Sequence, residues 1–425
     1  MIFVMGEEGQ RMYTLAEELY LIPRSLTGEG VRTTLQKLKE RFPLTIHEVP
    51  TGTSVFDWTV PPEWRIREAR LIDPSGAIIA DYAKNPLHIV GYSVPVEGTF
   101  SRGELEGHLY SSEEQPSAIP YITSYYKERW GFCLPHAVRS KLSEGMYTVR
   151  IDSELVQGSL TYGELIIPGR EESEILLSTY VCHPNLANDN LSGMVLATQL
   201  AEWLLSAPRR YTYRIVFIPE TIGSLVYLSR HLEEMQKKTV AGFVLTCVGD
   251  SRGFSFVPTP SGTTLADRVA RHVLSQRAPN YREYSFLQRG SDERQYCAPG
   301  VDLPVVSVMR SKYYEYPEYH TSLDDLSLIS PDGLKGSFDV LSECIEVLES
   351  NAIYKAAVFG EPQLGPRGLY PDAHFRRESP DIVNVFAFAD GTRDLVAIAD
   401  AINRPAKDTA LLAQQLEHGG LLTRV

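Results

Sequence analysis

The stretch Glu174-Ile-Leu-Leu-Ser-Thr-Tyr-Val-Cys-His-Pro-Asn-Leu-Ala-Asn-Asp-Asn-Leu-Ser-Gly193 decides how this chain folds. An apolar, β-like run leads into His183, and Asp189 follows it just before a helix-like run at 194–205. In open α/β sheets, ligands bind at the carboxyl ends of the strands, and zinc accepts both imidazole and carboxylate ligands. The stretch therefore predicts a strand-turn-helix unit with a metal site at its turn. A polar loop with a chance histidine is the alternative, because Asn-Asp-Asn is ordinary turn chemistry.

Two later stretches supply residues that match this site. Glu220 follows the apolar run 213–218, and His320 lies in the stretch Tyr319-His-Thr-Ser-Leu-Asp-Asp325. A carboxylate beside a metal is suited to take a proton from water and to return it to a leaving amine. We therefore expect Glu220 to act as the general base. A fourth metal ligand and a surface or N-cap residue remain alternative roles for it.

Taken together, the pattern His…Ala-Asn-Asp-Asn-x-Ser-Gly…Glu-x-x-Gly…Tyr-His-Thr-x-x-Asp resembles the co-catalytic zinc aminopeptidases, a superfamily that includes glutaminyl cyclase. The chain is most similar to an aminopeptidase-like branch of uncertain function that carries an inserted β domain and a C-terminal winged helix. The resemblance covers most of the chain, and its motifs are specific only in combination. It implies that His183, Asp189 and His320 bind metal and that Glu220 is catalytic.

Two positions depart from the pattern of that family. Its members usually carry two adjacent glutamates, and here Thr221 stands in the place of the second one. A strand-end aspartate that usually binds metal falls near Cys247, which we interpret as a buried core residue rather than a ligand. Asp250 is a minor candidate. Because two expected ligands are missing, we expect one Zn²⁺ per chain rather than two, with three protein ligands and an open fourth position.

The middle of the chain alternates strand-like and helix-like runs. The strands are predicted near 161–167, 174–182, 213–218, 241–248 and 304–310. The helices are predicted near 191–205, 223–238, 262–276 and 331–350. Ser330 and Pro331 announce the last helix as an N-cap followed by proline at the first helical position. This alternation predicts an α/β fold with a mainly parallel, doubly wound sheet.

Changes in the pattern of predicted strands, helices and turns along the sequence indicate where domains begin and end. Short strand-and-turn runs without long helices predict a small β domain inserted at 48–128. A loop rich in glycine and proline at 359–368 ends the main domain. We therefore assign 1–47 plus 129–355 to a zinc aminopeptidase-like domain and 356–425 to a winged-helix-like domain.

The charge of the chain argues against nucleic acid as a partner. The formal net charge is −13, whereas a nucleic-acid footprint needs a basic face. The stretch 385–425 of the winged-helix-like tail does not supply one, because it carries five acidic residues against four basic ones. These are Asp390, Asp394, Asp400, Asp408 and Glu417 against Arg393, Arg404, Lys407 and Arg424. We expect this domain to contact protein rather than DNA.

Other polar residues are candidates for contact with the substrate. Asp292 is suited to pair with a substrate amine, and Arg289 or Arg294 with a carboxylate or phosphate. Tyr319 and the tyrosines before it suit a sugar or aromatic wall. An ordinary salt-linked helix start and packing under the loop are the alternatives. The run Arg24-Ser-Leu-Thr-Gly-Glu-Gly30 does not match a phosphate-binding loop, and we interpret it as a connection between helices.

Composition indicates a globular protein of the cytoplasm. Of 425 residues, 43% are hydrophobic and 22% charged, which is ordinary for a globular chain. The first residues lack a basic segment with a long apolar core, so we expect no signal peptide, and the sequence has no apolar run long enough to span a membrane. The five cysteines are odd in number and widely spaced, and we expect them to be reduced thiols.

These observations favour a zinc-dependent, aminopeptidase-like hydrolase of an amide bond. Its substrate would be a small peptide or an acylamino metabolite, and we expect no nucleic-acid or membrane partner; homo-oligomer formation is left open. A non-catalytic, metal-stabilised scaffold is one alternative, because a protein that kept the fold and lost the activity would also lose metal ligands. Glutaminyl-cyclase-like amide chemistry is another. The sequence lacks a Gly-x-Ser-x-Gly elbow, which disfavours a serine hydrolase.

Overall fold

The computed structural model describes residues 7–369 and 380–425. Its α-helices are α1 (Glu8–Tyr20), α2 (Glu29–Lys39), α3 (Arg102–Leu105), α4 (His136–Arg139), α5 (Ser192–Leu205), α6 (Ile222–Lys238), α7 (Leu265–Arg277), α8 (Glu293–Tyr296), α9 (Pro331–Ser350), α10 (Asp381–Phe388), α11 (Leu395–Ala401) and α12 (Ala406–His418). Within these described residues, no helix is both long and apolar enough to cross a bilayer. The expectation about a signal peptide concerns the start of the chain, where residues 1–6 lie outside the described residues.

The strands fall into one large sheet and several small ones. They are β1 (Thr45–Pro50), β2 (Ser54–Val55), β3 (Trp58–Thr59), β4 (Glu63–Ile72), β5 (Ile78–Asp81), β6 (Val96–Ser101), β7 (Leu109–Tyr110), β8 (Phe132–Cys133), β9 (Met146–Val156), β10 (Ser159–Ile167), β11 (Glu174–Tyr180), β12 (Thr212–Ile218), β13 (Thr239–Val244), β14 (Ser255–Val257), β15 (Arg282–Glu283), β16 (Val305–Met309), β17 (Ile353–Ala356), β18 (Asp390–Asp394) and β19 (Leu422–Arg424). By its contacts, the chain divides into two compact units, Met1–Gly262 with Arg282–Phe338, and Thr263–Tyr281 with Asp339–Val425.

The large sheet of the first unit has the strand order β1-β10-β12-β11-β13-β16-β14-β15. Its centre is parallel, with β11 paired to β12 and β13, and β13 paired to β16. All seven residues of β11 are buried, because helices cover both faces of such a sheet and its strands are apolar runs rather than alternating ones. The predicted mostly parallel α/β sheet is confirmed, although its margins are antiparallel at β1-β10, β10-β12 and β14-β16.

The predicted strands and helices of this region are all present, with shifted ends. The largest difference lies at β13, which ends at Val244 instead of continuing to 248. The chain turns there, and Cys247 has a positive φ of 51° that a strand does not allow. The predicted N-cap of α9 is confirmed, since the Ser330 hydroxyl oxygen accepts a hydrogen bond from the Gly333 amide at 2.9 Å.

A second, smaller antiparallel sheet has the strand order β5-β4-β9-β6. It was predicted for the inserted region. Its long strands β4 and β9 alternate exposed and buried positions, which is typical of a sheet with one solvated face. One of its strands, β9, comes after the predicted limit at residue 128. The domain boundaries themselves stay predictions.

The second unit contains the winged-helix fold predicted for the tail. Helices α10, α11 and α12 are combined with the three-stranded sheet β18-β17-β19. Apolar residues of these elements, among them Val385, Ile398, Ala413 and Leu416, form a core of their own. Helix α7 also belongs to this unit and begins at a capping box, in which Thr264 and Asp267 bond each other's backbone amides.

Candidate metal centre

The carboxyl ends of the parallel strands gather the predicted site residues at one edge of the large sheet. His183 lies three residues after β11, Glu220 lies two residues after β12, and His320 follows β16. These strands run parallel in the order β12-β11-β13-β16, so their ends point the same way. Asp189 lies in the irregular turn just before α5. The edge is the one at which α/β sheets bind ligands.

His183, Asp189 and His320 bring their polar atoms into one compact cluster. One ligand atom from each residue lies within 4.8 Å of the other two. Oδ2 of Asp189 is 3.0 Å from Nε2 of His320, and Oδ1 is 3.7 Å from Nδ1 of His183. Asp189 is fully buried, and His183 is only 5% exposed. The structure thus brings together all three predicted metal ligands.

The same three residues carry polar atoms that make no hydrogen bond. Nδ1 of His183, Oδ2 of Asp189 and Nε2 of His320 are all buried, and none has a hydrogen-bond partner among the described residues. Buried polar atoms in proteins are normally satisfied, so a cluster of unsatisfied ones needs an explanation. Two imidazole nitrogens and one carboxylate oxygen are a donor set that suits zinc with an open fourth position. These residues therefore fit a single zinc ion.

The protonation states of the cluster also suit a cation. Burial lowers the pKa of His183 to about 4, so its imidazole is neutral at pH 7 and its ring nitrogen is free to bind metal. Burial would raise the pKa of Asp189, but the nearby His183 and His320 and a hydrogen bond from Tyr180 outweigh it and hold that pKa below its usual value. Asp189 is therefore a carboxylate at neutral pH.

Asp324 and Tyr180 fix the position of Asp189. The two carboxylate oxygens of Asp324 accept hydrogen bonds from the backbone amides of Asn188 at 2.5 Å and Asp189 at 3.0 Å. The Tyr180 hydroxyl donates to Oδ1 of Asp189. Supporting groups of this kind orient metal ligands. Asp324 is the aspartate of the Tyr-His-Thr-x-x-Asp motif, whereas the role of Tyr180 carries no signal in the sequence.

Two tyrosine rings hold the imidazoles. The ring of Tyr121 meets both His183 and His320 edge to face, with 5.2 Å between centroids in each case. Its backbone amide also donates to the carbonyl of His320 at 2.8 Å. Tyr319 stacks on His320 at 4.0 Å with an interplanar angle of 14°. Tyr319, predicted to contact substrate, thus supports a ligand, and Tyr121 comes from the inserted region, where no motif announces it.

Glu220 lies beside the cluster rather than within it. Its Oε2 is 3.7 Å from Nε2 of His183, and its side chain remains 20% exposed. Burial raises the pKa of Glu220 well above its usual value, and the negative charges of Asp292 and Asp189 raise it further. A cation at the three ligands would oppose that rise. Glu220 is not part of the three-residue cluster that could hold a metal ion, and its role as a base stays a prediction.

Thr221, next to Glu220 in the chain, is hydrogen-bonded to Arg294. Nη2 of Arg294 donates to the Thr221 hydroxyl at 2.6 Å, while its Nε has no hydrogen-bond partner among the described residues. Asp292 lies underneath, fully buried, and accepts hydrogen bonds from the Thr221 amide at 2.8 Å and the Ser224 hydroxyl at 3.0 Å. Oδ1 of Asp292 therefore supports the start of α6, whereas its buried Oδ2 has no hydrogen-bond partner among the described residues, and the predicted pairing with a substrate amine stays a prediction.

The two minor ligand candidates lie apart from the cluster. Cys247 is fully buried among apolar residues, and its sulfur is 3.9 Å from the Tyr316 hydroxyl. Asp250 uses its carboxylate to accept hydrogen bonds from Asn188, Arg252 and Ser311. Neither residue joins the group of metal-binding side chains that the described residues form.

A cavity of about 310 Å³ opens onto Glu220 and the two histidines. Arg294 also faces it, whereas Arg289 is exposed, lies outside the lining and packs over Phe286 with 4.8 Å between its guanidinium carbon and the ring centre. Aromatic and small side chains complete the wall, namely Leu26, Trp58, Tyr121, Thr123, Tyr125, Tyr126, Cys182, Thr221 and Ile222. The inserted region thus supplies an aromatic wall to this cavity. The sequence had predicted such a wall from the tyrosines before His320.

Backbone strain is concentrated around this edge of the sheet. Thr221, Cys247 and His320 adopt φ angles of 64°, 51° and 55°. Side-chain-bearing residues rarely adopt such positive φ values, and where they persist, the surrounding structure must hold them. Strain of this kind is most frequent at functional sites, in agreement with the unsatisfied polar atoms of the cluster.

Comparisons with known protein families divide the chain in two. Residues 13–351 match a family described as "Domain of unknown function (DUF4910)". Residues 352–424 match a family described as a winged helix-turn-helix. The join lies at the end of α9, and the predicted resemblance to an aminopeptidase-like branch with a C-terminal winged helix is confirmed by these matches together with the relatives below.

Known relatives and solved structures are similar to this chain over most of its length. A protein of Clostridium acetobutylicum named "Putative polysaccharide biosynthesis protein with aminopeptidase-like domain" is 46% identical over 86% of this chain and 84% of its own length. A crystal structure described as a "putative peptidase" from the same species has a TM-score of 0.92 at 41% identity, covering 99% of this chain and 97% of that one. A zinc aminopeptidase from Bacillus subtilis has a TM-score of 0.59 at 12% identity, covering 81% and 95%, and shares the fold.

Proposed function

This chain belongs to the DUF4910 family, and we propose that its first unit is a zinc-dependent, aminopeptidase-like hydrolase of an amide bond. One observation carries the proposal. Unsatisfied atoms of His183, Asp189 and His320 lie within 4.8 Å of one another beside Glu220, at the mouth of a cavity of about 310 Å³. The aminopeptidase-like domain named in the Clostridium acetobutylicum relative supports the same class of reaction.

Glu220 acts as the general base and acid in this proposal. Its carboxylate lies 3.7 Å from His183 and faces the cavity, so a water molecule between it and the substrate carbonyl is within its reach. Glu220 takes a proton from that water, whose oxygen adds to the carbonyl carbon, and returns the proton to the leaving amine as the C–N bond breaks. His183, Asp189 and His320 would hold a zinc ion, which would supply Lewis acidity toward the substrate carbonyl.

We propose one zinc per chain rather than two. The described residues offer three clustered ligands, which is the usual number for a catalytic zinc. Thr221 uses its hydroxyl to accept a hydrogen bond from Arg294, and Cys247 is buried in a separate apolar cluster. A second cation near Thr221 would meet the guanidinium of Arg294, and this repulsion favours a single ion.

The cavity favours a substrate with a ring or apolar part and an anionic group. Trp58, Tyr125 and Tyr126 offer aromatic faces, which suit a sugar ring or an aromatic side chain. Arg294 is the guanidinium in this lining, and a guanidinium is suited to bind a carboxylate. The reference to polysaccharide biosynthesis in the name of the relative makes an acylamino sugar acid a candidate beside a short peptide.

A substrate screen with and without a metal chelator tests the proposed function. The panel contains aminoacyl-coumarins, dipeptides and N-acyl amino sugars, each offered to the full chain. We expect hydrolysis of at least one class, loss of that activity in the chelator, and its return when zinc is added back. Activity that survives complete removal of metal would contradict the proposal.

The C-terminal unit is proposed to contact protein rather than nucleic acid. Over 385–425 it carries five acids against four bases and so has no excess of basic residues. Two of the acids are ion-paired, Asp394 with Arg268 and Asp390 with Arg393. A duplex DNA of mixed sequence should therefore show no binding at moderate salt, as measured by fluorescence anisotropy. Tight, salt-dependent binding would contradict this part of the proposal.

A further inference from the structure

Arg24 is a buried cation that the proposed catalysis does not use. Its residue is 2% exposed, and it begins the run Arg24–Gly30, whose role in the sequence is only that of a connection. Nε donates to the carbonyl of His183 at 3.0 Å, and Nη1 donates to the carbonyl of Leu19 at 2.6 Å. Among the described residues, Nη2 has no hydrogen-bond partner. A guanidinium carries five N–H groups, so a large part of this one is left unsatisfied.

The charge of Arg24 is not balanced by a protein carboxylate. Its hydrogen-bond acceptors among the described residues are the backbone carbonyls of His183 and Leu19, and neither of them carries a negative charge. An isolated buried charge is costly unless it is paired and hydrogen-bonded. Arg24 therefore needs an anion from outside the chain.

A small cavity of about 20 Å³ lies against Arg24. A cavity needs a volume of roughly 10–15 Å³ to hold one water molecule. This cavity is therefore large enough for an ion or molecule of about that size. Its polar lining includes the hydroxyl-bearing residues Ser25, Tyr82 and Thr123. The space is large enough for a monatomic anion.

The small cavity borders a surface groove. It shares Ser25, Trp64 and Tyr82 with a surface groove of about 370 Å³. Three arginines line that groove, Arg32, Arg65 and Arg67, against the two acids Glu29 and Glu63. Its modest positive excess does not repel an anion that enters from solvent.

We infer that the cavity beside Arg24 is a binding site for a halide-sized anion, chloride under ordinary conditions, which neutralises Arg24 and is held by its Nη2 group. Because Arg24 also holds the backbone carbonyl of His183, the bound anion stabilises the segment that carries a proposed metal ligand. The site does not depend on the proposed catalysis, and its test needs neither substrate nor zinc.

Bromide is the probe that tests this inference directly. Crystals of the full chain are grown with sodium bromide, and anomalous differences are collected at the bromine absorption edge. We expect a peak within hydrogen-bond distance of Nη2 of Arg24. A peak elsewhere only, or none, overturns the inference.

A measurement in solution gives an independent result. The melting temperature is followed as chloride replaces gluconate at constant ionic strength, which keeps screening unchanged. We expect a saturable rise with chloride in the wild type, because an anion that binds the folded state stabilises it. A melting temperature that does not respond to chloride overturns the inference.

Variants locate the effect at Arg24. Arg24→Met should abolish the chloride response, and Arg294→Gln, which removes a guanidinium from the neighbouring larger cavity, should keep it. If Arg24→Met does not fold, Tyr82→Phe decides, since removal of a lining hydroxyl should raise the chloride Kd by about tenfold or more. A chloride response of wild-type size in either Arg24→Met or Tyr82→Phe contradicts the assignment.

Discussion

Two buried histidines, one in each compact unit, use their ring nitrogens in opposite ways. In the second unit, Nδ1 of His272 lies 2.6 Å from Oδ1 of Asp400, and its Nε2 accepts a hydrogen bond from the Ala406 amide at 2.8 Å. In the first unit, Nδ1 of His183 is buried without a hydrogen bond. The two residues have nearly the same exposure, 4% and 5%.

The difference between the two histidines teaches how to separate a structural residue from a ligand. Burial alone does not distinguish them. His272 has both ring nitrogens satisfied inside the fold and therefore needs nothing from outside, whereas His183 faces a carboxylate and a glutamate at 3.7 Å without a hydrogen bond to either. An unsatisfied buried polar atom that points at other unsatisfied atoms is the mark of a binding site.

The largest expected effect is the loss of metal when one of the unsatisfied histidines is removed. His183→Ala and His320→Ala should each reduce retained zinc from one per chain to nearly none, because two remaining ligands do not hold zinc tightly. Metal content after dialysis, with circular dichroism to verify the fold, is the measurement. His272→Ala is the matched control and should retain its zinc. Full zinc occupancy in His183→Ala would remove that residue from the site.

The next effect concerns Glu220, which lies beside the three proposed ligands and is proposed to act as the base. Glu220→Gln should keep its zinc, since the amide leaves His183, Asp189 and His320 in place. It should lose turnover by roughly 10²- to 10⁴-fold, the usual contribution of a positioned general base. Metal content and kcat on the substrate found in the screen are the measurements. Loss of zinc would instead make Glu220 a ligand, and unchanged kcat would remove it from the mechanism.

The sequence predicted the sheet and the three clustered ligands because both depend on local patterns. The apolar runs before His183 and Glu220 predict strands that end near these residues. Because the carboxyl ends of parallel strands lie at one edge of a sheet, the two residues are expected there together. The aromatic wall could not be predicted, since Tyr121 reaches the histidines only through a long-range bridge in which Pro120 pairs with Thr321. The sequence shows the charge of Asp292 but not the hydrogen bonds that its Oδ1 accepts at the start of α6, and its predicted contact with a substrate amine stays a prediction.

A third effect extends the comparison from histidines to arginines. Arg294 lines the cavity with an unpartnered Nε, while Arg289 is exposed and packs over Phe286. Arg294→Ala should raise KM for a substrate with a carboxylate near the scissile bond by about 10- to 100-fold, as expected from the loss of a hydrogen bond to a charged group. Arg289→Ala should leave KM unchanged. Equal KM values in the two variants would show that Arg294 does not bind the substrate.

The smallest effect is a change of stability without a change of metal. His272→Ala leaves the buried Ala406 amide without its acceptor, so it should lower the free energy of unfolding of the second unit by about 1–3 kcal/mol. Urea unfolding followed by far-UV circular dichroism measures this. Unaltered stability would mean that the two hydrogen bonds of His272 contribute little. His272 would then not be an example of a histidine that stabilises the fold, in contrast to His183.

Metal analysis of the purified wild-type chain tests the central claim most directly. The chain, freed of any affinity tag, is dialysed against metal-free buffer and its zinc is counted by mass spectrometry against protein concentration. Three clustered ligands, with Arg294 at Thr221 opposing a second cation, predict one zinc per chain. Two zinc ions per chain would contradict the single-metal site, and none, even after zinc is supplied, would contradict the assignment of His183, Asp189 and His320 as ligands.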